Sequence, residues 1–166
     1  MEIETNRLHI RDLYETDWVE MKDIFVDFNQ SQYAAFDRLL PKDDGGAKIL
    51  TKRFSDSRLF FAVHLLDSNK MIGYVCFHRN GETLDLGYCF HSDYHSNGYA
   101  YESATAIIEY FEREYHAASF TAATALENIP SCRLLERLGF VCVSTETMSF
   151  DGKFSFQSGN FALNLP

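Results

Sequence analysis

The 166-residue chain carries a net charge of −9 and is 46% hydrophobic and 15% aromatic, enough apolar material for a core without a disulfide or metal staple. Its acidity argues against nucleic acid, whose phosphates need a basic face, and mildly favours cationic acceptors such as amines. Four scattered cysteines, Cys76, Cys89, Cys132 and Cys142, show no C-x-x-C and no short Cys/His spacing, which disfavours structural zinc and a secreted disulfide framework and fits buried cytosolic thiols.

The opening Met1-Glu2-Ile3-Glu4 lacks the basic-then-apolar pattern of a signal peptide. No segment approaches the ~20 apolar residues of a membrane span. With no repeat, low-complexity tract or linker, the expectation is one soluble, cytoplasmic domain over residues 1–166 that meets neither membrane nor nucleic acid.

Residues 7–11 alternate like a strand, and Thr16 or Asp17 can cap a helix whose apolar side is Val19, Met21, Ile24, Phe25 and Phe28. Between residues 30 and 44 the pattern breaks up, and a second helix is expected over 46–54. Three strands follow, at 59–66, 70–78 and 83–91. The first two are parted by the turn Asp67-Ser68-Asn69, and the Asn-Gly of Arg79-Asn80-Gly81-Glu82 signals a hairpin between the last two. Ala100, Ala104, Ile107, Ile108, Phe111 and Tyr115 then recur at helical spacing. Residues 119–126 are β-like, and 130–138 form a short helix stopped by Gly139 at a left-handed cap position. Residues 140–150 and 153–165 read as two closing strands joined at Asp151-Gly152. The order predicts a three-layer α/β fold, a mixed sheet of about seven strands with helices on both faces.

The segment Tyr94-His95-Ser96-Asn97-Gly98-Tyr99-Ala100-Tyr101-Glu102 joins a strand directly to an amphipathic helix. The first N–H groups of a helix lack intrahelical acceptors, and the dipole adds positive potential there. Gly98, without a side chain, lets an anion approach those amides, so a phosphate can be held without a lysine or arginine. The plainer alternative is a turn glycine. G-x-x-x-x-G-K-[ST] and G-x-G-x-x-G are both absent, leaving no support for a P-loop or a dinucleotide site.

The runs Asp85-Leu86-Gly87-Tyr88, His95-Ser96-Asn97-Gly98-Tyr99-Ala100, Asn128-Ile129-Pro130-Ser131 and Leu134-Leu135-Glu136-Arg137-Leu138-Gly139-Phe140 together resemble the GNAT N-acetyltransferases. The branch most resembled contains the ribosomal-protein N-terminal (alanine/serine) acetyltransferases, whose first strand is similar to Thr5-Asn6-Arg7-Leu8-His9-Ile10-Arg11. Each motif is loose by itself; their order and spacing are specific. The resemblance implies acetyl-CoA as cosubstrate and no metal. It implies that His95, Ser96, Asn97, Gly98, Tyr99 and Ala100 hold the CoA pyrophosphate, and that the pantetheine arm lies between strands that splay apart at Cys89, Phe90 and Thr121. His95 stands where the family usually has Gln or Arg, which implies a weaker or pH-dependent contact, since imidazole titrates near ~6.5.

Thioester aminolysis needs a neutral amine, a stabilised oxyanion and a leaving thiolate. A lysine-type amine (pKa ~10.4) needs a base near neutral pH, and an α-amine (~7.7–8) needs much less help. Asp85 stands where the family often places an acid, and could take the amine proton directly or through a water; the alternative is a turn cap or a backbone bond. Glu102, in the first turn of the anion-binding helix, is a second candidate base; the alternative is a stabilising charge that suits the helix dipole. By resemblance Asn128 bonds the pantetheine backbone and Ser131 lies near the CoA sulfur, while Asn128 also fits a helix N-cap. Leu135 occupies the position where many GNAT enzymes carry a thiolate-protonating tyrosine, so Ser131 would have to substitute, as a hydrogen-bond donor more than as an acid. His64, His78 and His91 have no metal-ligand spacing. Cys89 and Cys132 lack His/Asn partners for covalent transfer. Trp18, Phe28, Tyr33 and Phe36 offer either an aromatic acceptor groove or core packing.

The expected reaction is acetyl transfer to a primary amine, such as a protein N-terminus, by direct transfer in a ternary complex. The alternatives are a small-molecule acceptor (polyamine, amino acid, amino sugar or antibiotic) and a non-catalytic acyl-CoA-binding module. A β-rich C-terminus and many aromatics would allow a homodimer.

Overall fold

The computed structural model describes residues 1–166 apart from Glu82, Phe150, Asp151 and Lys153. Glu82 of the expected hairpin turn, and Phe150, Asp151 and Lys153 around the expected closing turn, thus lie outside the described residues.

The strands β1 (Glu2–Glu4), β2 (Leu8–Asp12), β3 (Phe60–Leu65), β4 (Met71–Asn80), β5 (Thr83–Phe90), β6 (Ser119–Ala125), β7 (Val141–Met148) and β8 (Phe156–Asn164) form one sheet. Its spatial order is β1-β2-β3-β4-β5-β6-β8-β7. The eighth strand beyond the expected seven is β1, three residues long and too short to show a period; Ile3 pairs opposite Ile10. Every neighbouring pair is antiparallel except β5–β6, which is parallel and joined through helix α3 (Tyr99–Tyr115).

Helices α1 (Trp18–Gln30) and α2 (Asp44–Ser57) cover one face; α3 and α4 (Ile129–Arg137) cover the other. Strand periodicity divides the side chains. Phe60 and Ala62 pack with Met21, Ile24, Phe25 and Ala47 under α1 and α2, while Phe61 and Val63 pack with Ile107, Phe111 and Leu135 under α3 and α4. A sheet covered on both faces needs apolar residues at successive positions, which is why 59–66 reads as an unbroken apolar run. Phe77 bridges Phe111 and Phe120, with ring centroids at 4.9 and 5.6 Å, and full burial of one such ring contributes roughly 1.5–3 kcal/mol.

Two helix starts differ from expectation. Asp17 holds the N-cap position of α1 but makes no cap bond. Its carboxylate accepts instead from Arg11 Nη1 and Nη2 at 2.8 and 2.9 Å and from Tyr14 N at 2.8 Å, a bidentate charged pair that outcompetes a single amide. Helix α2 starts earlier than residue 46, because Asp43 caps it by accepting from Gly46 N at 2.9 Å. Among the described residues no helix is long and apolar enough to cross a membrane.

Candidate functional site

The strand–helix junction after β5 is built to leave amides free. A 3-10 turn at Ser92–Tyr94 is followed by His95, whose own N–H is spent on Ser92 O (3.1 Å). Ser96 and Gly98 then take positive φ values, 62° and 81°, and backbone that alternates in this way turns successive N–H groups toward one concavity. A non-glycine residue in the left-handed region is strained. Ser96 is held there by its neighbours, since Asn97 Nδ2 donates to His95 O (2.9 Å). Helix α3 has no side-chain cap, and its first backbone bond is Glu102 N to Gly98 O (3.0 Å). The N–H groups of Tyr99, Ala100 and Tyr101 therefore have no partner in the helix. A Cβ on Gly98 would meet Arg7 Nη2 at 3.5 Å, an ordinary contact; glycine is required there by φ, not by crowding.

The imidazole of His95 is turned toward the strand, with Nε2 2.8 Å from Phe90 O. It braces the loop against the end of β5.

The loop itself carries no lysine or arginine, but the fold brings an arginine to it. Arg7 donates Nη1 to Asn97 O (3.0 Å) and Nε to Glu102 Oε2 (2.7 Å), and stacks 4.6 Å from the Tyr99 ring. Thr5 Oγ1 donates to Glu102 Oε1 at 2.6 Å. Burial pushes the Glu102 carboxyl up, but the bonds from Thr5 and Arg7 outweigh it and hold the group below the ordinary glutamate range. Glu102 is thus an anchor for Arg7, with its oxygens spent. Arg137 stacks on Tyr101 at 3.9 Å, and a groove of about 690 Å³ runs between the two guanidinium groups along the start of α3. The signal for Arg7 lay in the Thr5-Asn6-Arg7 run; its partner Glu102 is 95 residues away.

The parallel strands β5 and β6 are in register only at Leu84–Phe120 and Asp85–Thr121. Beyond those pairs each keeps its outer neighbour, β5 with β4 up to Phe90 and β6 with β8 up to Ala125. A wedge therefore opens between residues 86–90 and 122–125. Thr121 lies at its closed end, so the parting begins beyond Thr121 and not at it; Cys89 and Phe90 lie on the open stretch. Asp85 Oδ1 accepts from Thr121 Oγ1 at 2.9 Å, a tie across the last paired rung.

Asn128 caps α4, with Oδ1 accepting from Ser131 N at 3.3 Å; its NH2 group is not used by the cap. The Ser131 hydroxyl lies 2.7 Å from the Tyr88 hydroxyl. Tyr88, the last residue of the Asp85-Leu86-Gly87-Tyr88 run, reaches α4 from the open stretch of β5. Burial pushes its phenol up to about 12, although the Ser131 bond pulls the other way. Leu135 points into the core and is 1% exposed.

On the opposite face, Phe36 packs against Phe156 (5.3 Å) and Phe154 (5.9 Å), joining the α1–α2 connection to the C-terminal strands. Trp18 carries Lys48 at 4.3 Å and packs on the α1–α2 core. Desolvation raises the Asp37 carboxyl, although the N–H of Arg38 at 2.6 Å pulls it the other way. Burial pushes the Cys89 thiol up to about 12 and raises that of Cys132, so neither is a ready thiolate nucleophile. Burial and then Arg11 lower His64 to about 4, the state of a neutral structural histidine. Among the described residues no three His, Cys, Asp or Glu side chains converge to hold a metal ion.

A sheet opened between two parallel strands, with an uncapped, glycine-led helix at the end of the opening, can take an anion at the helix start and an extended chain in the opening. The family model described as acetyltransferase (GNAT) domain matches residues 7–141, and the chain belongs to this family. It is 33% identical over 141 residues to the uncharacterized N-acetyltransferase YnaD of Bacillus subtilis (strain 168), covering 84% of this chain and 82% of that protein. The protein is an N-acetyltransferase. The fold is also that of a GNAT-family acetyltransferase from Bacillus anthracis (TM-score 0.87, 24% identity, 99% and 98% of the two chains). It is shared by RimL, a ribosomal L7/L12 alpha-N-protein acetyltransferase solved in complex with coenzyme A (TM-score 0.87, 12% identity, 99% and 98% of the chains).

Proposed function

We propose that this enzyme transfers an acetyl group from acetyl-CoA to a protein N-terminal α-amine by direct attack in a ternary complex. The observation that carries the reading is the alignment of two unsatisfied features. The free amides from Ser96 to Tyr101 stand at the end of β5, where the wedge between β5 and β6 opens. A diphosphate held at those amides, with Arg7 alongside, directs a pantetheine arm down the wedge. There its amides meet strand edges without partners, and the Asn128 NH2 group. The arm then ends between Ser131 and Asp85. Likeness in fold to a ribosomal-protein N-terminal acetyltransferase supports the choice of acceptor.

The chain's own groups act as follows. The loop amides and the wedge fix the thioester, and alignment of the two reactants supplies much of the rate. Asp85, whose Oδ1 is oriented by Thr121, accepts the amine proton directly or through a water. Ser131 donates a hydrogen bond to the departing sulfur. An α-amine near pKa ~8 is partly neutral at pH 7, so one positioned carboxylate is sufficient help.

The test is thiol release from acetyl-CoA with peptides bearing free Ala or Ser N-termini, N-terminally blocked copies, and a panel of polyamines, amino acids and amino sugars. Turnover with free peptides and none with blocked ones is expected. Turnover confined to small amines would move the acceptor class, and CoA binding without turnover on the whole panel would make the protein a binding module.

A further inference from the structure

In this chain the α4 position of the family's usual tyrosine holds Leu135, a core residue 1% exposed. A different phenol reaches the same helix face. Ser131 and Leu135 stand one turn apart on α4, and Tyr88 crosses from the open stretch of β5 to place its hydroxyl at 2.7 Å from Ser131 Oγ and 3.4 Å from Ser131 O. The carbonyl oxygen can only accept, either hydroxyl can donate to the other, and the shorter contact is much the better hydrogen bond. With the phenol proton on Ser131 Oγ, the serine's own proton is free to point elsewhere.

We propose that Tyr88 is a positioning residue for acetyl transfer, fixing the Ser131 hydroxyl so that it donates to the departing sulfur. The inference rests on the donor reading given above. The bond spans the gap between β5 and α4 on the α3–α4 side of the wedge, so it forms part of the floor on which a pantetheine arm would lie. In the transfer the N–C bond forms as the C–S bond breaks, and sulfur leaves with the bonding pair. The amine proton passes to Asp85 or water, and the sulfur takes a proton from solvent on release. Ser131 and Tyr88 keep their protons throughout and supply hydrogen bonds only. Burial makes a tyrosinate unfavourable here, which suits a group that orients and does not ionise.

Two readouts test this. Tyr88→Phe keeps the ring and removes the hydroxyl; kcat should fall about 5-fold, with the KM for acetyl-CoA within about 2-fold of wild type. Because Tyr88 acts through Ser131, Tyr88→Phe/Ser131→Ala should be no slower than Ser131→Ala alone, within about 2-fold. The second readout needs no acceptor: ultraviolet titration of the thiol of bound CoA. Tyr88→Phe, Ser131→Ala and the double variant should each raise that thiol's pKa by about half a unit, without summation. Independent, multiplying losses would overturn the inference. So would an unmoved thiol titration with wild-type kcat, even if Tyr88→Phe melts earlier. A wild-type protein that binds no CoA overturns the donor reading and this inference together. CoA binding without turnover on any amine removes the catalytic reading alone, and the thiol titration still decides Tyr88.

Discussion

Replacing Gly98 with alanine separates the two jobs assigned to this residue. Its φ of 81° lies in the left-handed region, and the added Cβ would meet nothing closer than Arg7 Nη2 at 3.5 Å. Packing therefore contributes no penalty, and the conformational cost is about 1–2 kcal/mol. For a chain of this size that lowers Tm by roughly 2–8 °C. Gly81 is the control: its φ is 62°, and a Cβ there would meet nothing within 4 Å. Gly81→Ala should cost about the same stability while leaving the CoA site untouched. Gly98→Ala alone should weaken CoA binding, by at least ~10-fold or about 1.4 kcal/mol, because its methyl group would stand beside the Arg7 guanidinium and a shift of the backbone away from positive φ would re-aim the neighbouring amides. Thermal denaturation of both variants and calorimetric titration with CoA measure the two effects separately. Equal losses of stability with wild-type CoA affinity in Gly98→Ala would refute the reasoning.

Three further changes address the remaining groups. Ser131→Ala should lower turnover about 10-fold, or ~1.4 kcal/mol, with CoA affinity within about 2-fold; unchanged turnover would leave Ser131 a packing or capping residue. Asp85→Asn keeps an oxygen to accept from Thr121 but cannot take a proton, so kcat near pH 7 should fall about 100-fold and recover in part as pH rises and the free amine deprotonates. A flat, wild-type profile would reduce Asp85 to a strand tie. Glu102→Gln should cost about 1 kcal/mol at pH 7, discounted because Arg7 is half exposed. The folded Glu102 carboxyl is held below its ordinary value, so its stabilisation is complete above the unfolded pKa of ~4.3 and fades as pH falls through the lower folded value. The gap between variant and wild type should therefore close in acid, as followed by denaturant melts; a gap constant from pH 7 to pH 3 would contradict the assignment.

What the sequence made legible follows the range of the forces involved. The β3 and β4 strands were readable because burial on both faces leaves long apolar runs, and α3 because its apolar residues recur at helical spacing. Gly98 and Asn128 were readable because a strand–helix junction and a cap are local events. Strand β1 is three residues long and has no period to show. The start of α2 depended on which carboxylate, among several, turned back onto an amide. At Asp17 the local signal pointed to a cap, and Arg11, arriving along β2, claimed the carboxylate. The parts of the site that escaped are the non-local ones. Glu102 meets Arg7 across 95 residues, and Tyr88 meets Ser131 across 43. The wedge itself is a matter of register, two paired rungs and then none, and register between parallel strands joined by a helix leaves little imprint on composition.

The most direct measurement is a backbone amide NMR titration of the isotope-labelled chain with CoA. The largest shifts are expected at Ser96 to Tyr101, with a second set along residues 86–90 and 122–125 on the two sides of the wedge. A saturating titration that moves other amides and leaves the start of α3 unchanged, or one that moves none, would contradict the placement of the diphosphate on which the chemistry at Ser131 and Asp85 depends.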